Sequence, residues 1–182
     1  MKHKYLELSL NSRNGEACLE TFHAIQDALT LVCRTVRVLR LNTLGPEPTF
    51  DESVLRKLFG ELLPVDNTIV MLQIVSNDVN DVSKILRTYP TKDSIMSLTV
   101  LVPEAFARLG PNETLSSPTW LPIQMRDSVM RTLVNRPDYK KLLLVRIMSF
   151  DGKAHVLKDQ HGKPFDYKFG LQRVNGIIVD QA

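Results

Sequence analysis

The chain has 182 residues, 43% hydrophobic and 24% charged, with a formal net charge of +3. That length holds one domain, or two small subdomains over a shared core. No apolar run approaches the ~20 residues of a membrane span, Met1-Lys2-His3-Lys4 starts no signal-peptide hydrophobic stretch, and the 8 glycines form neither GxGxxG nor GxxxxGK[ST], which argues against nucleotide enzymes.

Lys4 to Leu10 alternates apolar and polar residues and reads as a strand, with Asn14-Gly15 as a turn. From Glu16 to Arg34, Cys18, Phe22, Ile25, Leu29 and Val32 recur at helical spacing and predict an inward stripe. Glu16 and Glu20 near its start, with Arg34 and Arg37 near its end, suit the helix dipole. Cys18 and Cys33 would stand ~22 Å apart on such a helix, at ~1.5 Å rise per residue, beyond disulfide reach. Neither has a CxxC partner, so both read as core residues of a reducing compartment rather than as metal or redox groups.

Val36 to Leu44 alternates again and predicts a strand beside the first. After Gly45-Pro46-Glu47-Pro48, Thr49 and Glu52 form a capping box for a helix through Leu63, with Val54, Leu55, Leu58, Phe59 and Leu62 inward and Pro64 as its stop. Thr68 to Val75 is an apolar strand. A helix capped at Asn77/Asp78 then carries Val79, Val82, Ile85 and Leu86 up to Pro90, and Ser94 to Val102 is another strand. Pro103 to Leu109 makes one or two helical turns with Gly110 at the C′ position. A loop over Pro111 to Pro118 leads to a helix from Leu121 to Asn135, with Ile123, Val129, Met130 and Leu133 apolar and Pro137 closing it.

The end reads as β: Lys141 to Phe150, an Asp151-Gly152 hairpin turn, Lys153 to Lys158, Phe165 to Leu171 and Gly176 to Asp180. No repeat stands out. The fold class expected is α+β, with β-sandwich-like sheets decorated by several helices and a β-rich C-terminal part. A division into an N-terminal α/β subdomain over 1–65 and a C-terminal β-rich subdomain over 66–182 is expected, or one continuous domain.

Catalytic chemistry is not evident. His3, His23, His155 and His161 lack the HExxH, HxE or cysteine-paired spacings of metal sites, and His23 reads as a hydrogen-bonded helix-surface histidine. Ser116 and Ser117 have no nucleophile-elbow glycines, Asp78 and Asp81 share a helix face but Asp78 is explained as a cap, and Asn112-Glu113-Thr114 is a bare sequon. No catalytic residue, metal or cofactor is expected.

Charge placement says more. From Lys140 onward there are eight basic residues (Lys140, Lys141, Arg146, Lys153, Lys158, Lys163, Lys168 and Arg173) against four acidic ones, so the whole basic excess lies in the last quarter. These eight are the candidate anion-binding residues, an ordinary solvated sheet face being the alternative. Lys153 and His155 would share a face with Leu157. Phe165, Tyr167 and Phe169 would line one face of their strand, as a core surface or as a stacking platform for nucleic acid.

Pro90-Thr91-Lys92-Asp93-Ser94-Ile95 after a strand and helix, the Leu98–Pro103 strand, Leu142-Leu143-Leu144-Val145-Arg146-Ile147 and Asp151-Gly152-Lys153-Ala154 occur in an order that resembles the C-terminal part of matrix proteins of non-segmented negative-strand RNA viruses. The likeness runs from Thr68 to Asp180, is nearest to pneumoviruses and fainter to filoviruses. It implies a non-enzymatic structural protein that assembles into homo-oligomers and binds anionic lipid headgroups peripherally. It would join the inner face of a host membrane to the nucleocapsid, in the cytoplasm and the virion, with no small-molecule substrate. A nucleic-acid-binding module using the basic C-terminal sheet is the second reading, and an enzyme with a dispersed site the third.

Overall fold

The computed structural model describes residues 4–10, 20, 21, 23, 24, 26–45, 50–63, 67–90, 94–114, 116–136, 138–150, 166–174 and 177–181, and the backbone alone at positions 33, 62, 150 and in the last two strands. Its strands are β1 (Tyr5–Ser9), β2 (Val38–Asn42), β3 (Met71–Val75), β4 (Ser97–Pro103), β5 (Leu144–Phe150), β6 (Asp166–Val174) and β7 (Ile177–Gln181). Its helices are α1 (Gln26–Cys33), α2 (Glu52–Leu62), α3 (Val79–Thr88), α4 (Glu104–Ala107) and α5 (Leu121–Val134).

All seven strands join one sheet in chain order, β1 to β5 parallel and β6 and β7 antiparallel. This mixed α/β arrangement replaces the expected sandwich-like sheets. Parallel neighbours need a crossover, and α1, α2, α3 and α4 with α5 supply one between each pair of parallel strands. The expected pairing of the first two strands is found, Leu6 with Leu39 and Leu8 with Leu41. The sheet also runs without a break from β2 to β3, across position 65.

Such crossovers are right-handed in about 98% of cases, so a sheet wound steadily in one direction receives its helices on one face. Accordingly α1 lies against α2, α2 against α3, and α3 against α5, in a single layer. Beneath that layer run two rows of aliphatic side chains. One is Leu6, Leu39, Leu72, Leu98 and Val145, and the other Leu8, Leu41, Ile74, Val100 and Ile147. From β2 to β5 every one of these is buried.

A recurring unit lies behind this regularity, contrary to the absence of repeats read from the sequence. Val36, Leu39 and Leu41; Ile69, Leu72 and Ile74; Ile95, Leu98 and Val100; and Leu142, Val145 and Ile147 repeat one spacing, all buried. Tyr5, Val38 and Met71 are in register and equally spaced along the chain. The spacing then changes because α3 connects closely to β4 and the long segment from Glu104 to Tyr139 precedes β5. Each unit stacks on its neighbours, as in a short solenoid.

Several boundaries differ from the expected ones. The N-cap of α2 is Asp51, not Thr49: its Oδ1 accepts from Val54 N at 3.0 Å and from the Ser53 hydroxyl at 2.6 Å. Thr49 and Pro64 lie outside the described residues, and α2 ends where Leu63 N donates to Phe59 O. In α3 the expected cap is present, Asp78 Oδ1 accepting from Asn80 N. Gly110 is not a C′ residue, since α4 already ends at its C-cap Arg108. Instead Gly110 N donates to Glu113 Oε2 at 2.9 Å, and Thr119 Oγ1 donates to Oε1 at 2.9 Å, which together hold the Glu113 carboxyl below its usual pKa.

Val32, expected inward, is 41% exposed, and Leu31 is 64% exposed. Helix α1 packs against α2, and Leu29 is its buried apolar side chain. Cys18, Phe22, Ile25 and the 151–158 hairpin and strand lie outside the described residues.

The two faces of β3 give a direct test. Leu72→Ala is expected to cost about 2–5 kcal/mol by cavity formation, and neighbouring Gln73→Ala no more than about 1 kcal/mol, in urea denaturation followed by circular dichroism.

Candidate functional site

No described helix packs on the other face of the sheet. Its central row is Glu7, Arg40, Gln73, Thr99 and Arg146, with Lys168 next in register on β6. The flanking rows carry Tyr5, Val38, Met71, Ser97 and Leu144 on one side and Ser9, Asn42, Val75, Leu101 and Met148 on the other. Val38, Val75 and Leu101 are buried, and the longer Arg40, Met71, Gln73 and Met148 around them are half-buried. The result is a polar rim over an apolar floor. It encloses a shallow cleft of about 320 Å³ whose walls include Arg40, Met71, Gln73, Thr99, Arg146 and Met148.

At the β1 end the polar groups satisfy one another. Arg40 Nε donates to Gln73 Oε1 at 3.0 Å, its Nη1 lies 3.9 Å from Glu7 Oε2, and its guanidinium sits 5.1 Å from the centre of the Tyr5 ring. Asn42 Nδ2 donates to Glu7 Oε1 at 3.3 Å, and the Tyr5 hydroxyl donates to Glu7 Oε2 at 2.7 Å. Glu7 thus balances Arg40, and an ion pair this open to water is worth no more than about 1 kcal/mol. Toward β5 and β6 the central row continues with Arg146 and Lys168, while Asp166 stands in register with Met148 in the flanking row.

Arg146 is the one member of the expected basic set whose side chain is placed on this face, half-buried in mid-strand. Lys168 is its register partner across β5 and β6. Lys140 and Lys141 are exposed in the turn that leads into β5, with Lys140 N donating to Asp138 O at 2.9 Å. Arg173 pairs in register with Ile178, away from that cluster, while Lys153, Lys158 and Lys163 lie outside the described residues. Arg40, Gln73 and Thr99 were not among the expected site residues. Their only signal was the middle polar residue of each Leu-x-Leu-like triplet, visible once the triplets are aligned.

Tyr167 and Phe169 stand in register with Ile147 and Val145, the core-facing positions of β5, while Phe165 lies outside the described residues. His23 is the surface histidine expected, hydrogen-bonded to Glu61. Asp81 is held by Lys84 Nζ at 3.3 Å. The described residues contain no group of three or more histidine, cysteine, aspartate or glutamate side chains arranged to hold a metal ion, and no helix long and apolar enough to cross a membrane. The strand order never reverses within the parallel part, so the crevice at which open α/β sheets take up nucleotides does not arise there. Comparison with protein-family models, with curated proteins and with solved structures gave no match.

Partial burial, the hydrogen bond to Glu7 and the nearby Glu7 charge push the Tyr5 phenol up from 10.0 to about 12, against the opposing pull of Arg40. Only the neutral phenol donates to Glu7, so this contact is fully present below pH ~10 and is lost as pH rises through about 12. Glu7→Gln should lower the Tyr5 ionisation from about 12 while burial still holds it above 10.0, read at 295 nm against the same titration of Tyr5→Phe.

Proposed function

We propose that this chain is a non-enzymatic binding scaffold that engages an anionic surface through the β5–β6 side of its uncovered sheet face. The observation that carries this reading is the placement of Arg146 on a face that no described helix covers, with Lys168 in register beside it and Lys140 and Lys141 in the turn that leads into the same strand. A parallel sheet is ordinarily covered on both faces. Here the central row of one face carries charged, amide and hydroxyl groups between largely apolar flanking rows, which favours a partner over a solvated surface.

The resemblance to viral matrix proteins supplies the identity of the surface in this proposal: anionic lipid headgroups at the inner face of a membrane, with self-assembly of the chain beneath them. Each Lys or Arg near such a surface contributes about 1 kcal/mol, so a few of them suffice for peripheral attachment that weakens with salt. RNA or a nucleocapsid is the competing anionic partner, since counterion release would serve it equally.

Co-sedimentation with phosphatidylserine vesicles and retention on RNA distinguish the two. Lys140→Glu with Lys141→Glu, both exposed, should reduce vesicle binding about tenfold or more in ~0.1 M salt while leaving the unfolding midpoint unchanged. Wild-type binding to RNA but not to vesicles would replace lipid by nucleic acid. Vesicle binding unaffected by the double charge reversal would refute the assigned face.

A further inference from the structure

On the helical side, remote from the sheet face, a second cleft of about 520 Å³ opens between α2, the end of α3 and the segment after α5. Its walls include Arg56, Gly60, Arg87, Thr88, Arg136 and Asp138. Three guanidinium groups therefore meet in one concave place, and they are held in different ways.

Arg136 is fully committed. Its Nε and Nη2 donate to the two Asp138 carboxylate oxygens, its Nη1 to the Leu86 and Arg87 carbonyls, and its Nη2 also to the Tyr89 carbonyl. All five donors are used, so Arg136 acts as a clamp on the last turn of α3 and offsets the negative end of that helix. Without it, the carbonyls at this end would repel an anion.

Arg56 and Arg87 share a single carboxylate. Glu52 Oε1 accepts from Arg87 Nε at 2.8 Å and also from its Nη2, while Glu52 Oε2 lies 3.7 Å from Arg56 Nη2. Arg87 Nη1 and Arg56 Nη1 and Nε make no described contact with protein, and the Arg87 and Arg56 side chains are 45% and 61% exposed. With Glu52 and Asp138 set against three arginines, the cleft keeps one excess positive charge.

Gly60 is the second, independent observation. It lies inside α2, where glycine costs about 1 kcal/mol relative to alanine. A Cβ there would meet nothing within 4 Å, so neither packing nor a close backbone approach demands glycine. What its missing side chain does preserve is room within the cleft, beside the two arginines.

We infer that this cleft is a binding site for a phosphate-type oxyanion, carried by free phosphate or by a small phosphomonoester. Arg56 and Arg87 donate to oxygens of the one tetrahedral group, Glu52 holds the two forks in place, and Gly60 admits the ligand to the surface of α2. Guanidinium forks approaching from two helices suit a tetrahedral oxyanion better than a planar carboxylate, which a single fork already satisfies. The cleft is much larger than a bare phosphate ion, leaving space for an organic body.

The test is titration of the folded chain with sodium phosphate and with glycerol 3-phosphate, followed by NMR shifts at constant ionic strength with chloride as the control. Saturable binding of either probe, with chloride inert, is expected. Glycerol 3-phosphate binding tighter than phosphate identifies a phosphomonoester as the source, and equal affinities identify the free anion. Arg56→Gln should weaken binding about tenfold. Gly60→Leu should abolish it while leaving the unfolding midpoint unchanged or raised, since leucine is the better helix former. Lys140→Glu with Lys141→Glu should have no effect, which separates this site from the sheet face. Shifts equal to those in chloride, or unchanged affinity in both Arg56→Gln and Gly60→Leu, would overturn the assignment.

Discussion

The handedness of the parallel crossover governs most of what this molecule is. Strands that follow one another in space as they do in sequence, each joined by a right-handed connection, must receive every helix on the same side. Leu39, Leu72, Leu98 and Val145, with Leu41, Ile74, Val100 and Ile147, then form a continuous buried floor under the helical layer. The opposite face cannot be made of the same residues. With no described helix to dehydrate it, a row of leucines there would be a large exposed apolar patch. The chain instead places Glu7, Arg40, Gln73, Thr99 and Arg146 in the central row.

The helical layer is fastened by a few directional contacts rather than by apolar packing alone. Arg136 gathers the last carbonyls of α3, and the buried Tyr139 hydroxyl donates to Leu86 O at 3.0 Å. Loss of hydration at that site pushes the Tyr139 phenol well above its ordinary ionisation range. Trp120, 2% exposed, anchors the long segment before α5 by donating from Nε1 to Ala107 O at 3.0 Å. Between α3 and α5, the Ser83 and Ser128 hydroxyls lie 2.7 Å apart, on side chains small enough to let the two helices approach closely. Because buried polar groups are costly when unpaired, these contacts fix register more sharply than leucine packing does.

Charge is therefore expressed in two places, and each is shaped by its neighbours. On the sheet face, Glu7 offsets Arg40 at one end, while Arg146 lies at the other with Lys168 and Asp166 at neighbouring register positions. In the helical cleft, Arg136 is used up in holding α3 together and thereby frees the field of Arg56 and Arg87 to face outward. The extended face suits attachment to a broad surface, whereas the cleft suits one small group. Exposed charges of this kind chiefly steer and orient a partner.

Much of the secondary structure was legible in the sequence, for physical reasons that can be named. Alternation marked β1 and β2, an apolar run marked β3, Asp78 and Pro90 bounded α3, and Leu55, Leu58 and Phe59 marked the inner side of α2, because local sterics, capping and amphipathic period are written in consecutive residues. The cap at Asp51 was hidden because Thr49, three places before Glu52, offers the same chemistry. The strand order was not legible: short apolar strands such as Ser97–Pro103 fit a sandwich as readily as a parallel sheet until their neighbours are known. Nor was the site, since Arg40, Gln73, Thr99 and Arg146 are far apart in the chain and become one row through register alone. By itself, then, the sequence determined which segments could be helix or strand, which side chains had to be buried, and that the basic excess lay from Lys140 onward. The tertiary structure alone decided that every described helix shares one face, that polar residues from five strands align on the other, and that Arg56, Arg87 and Arg136 converge, because these are consequences of long-range pairing that no local preference encodes.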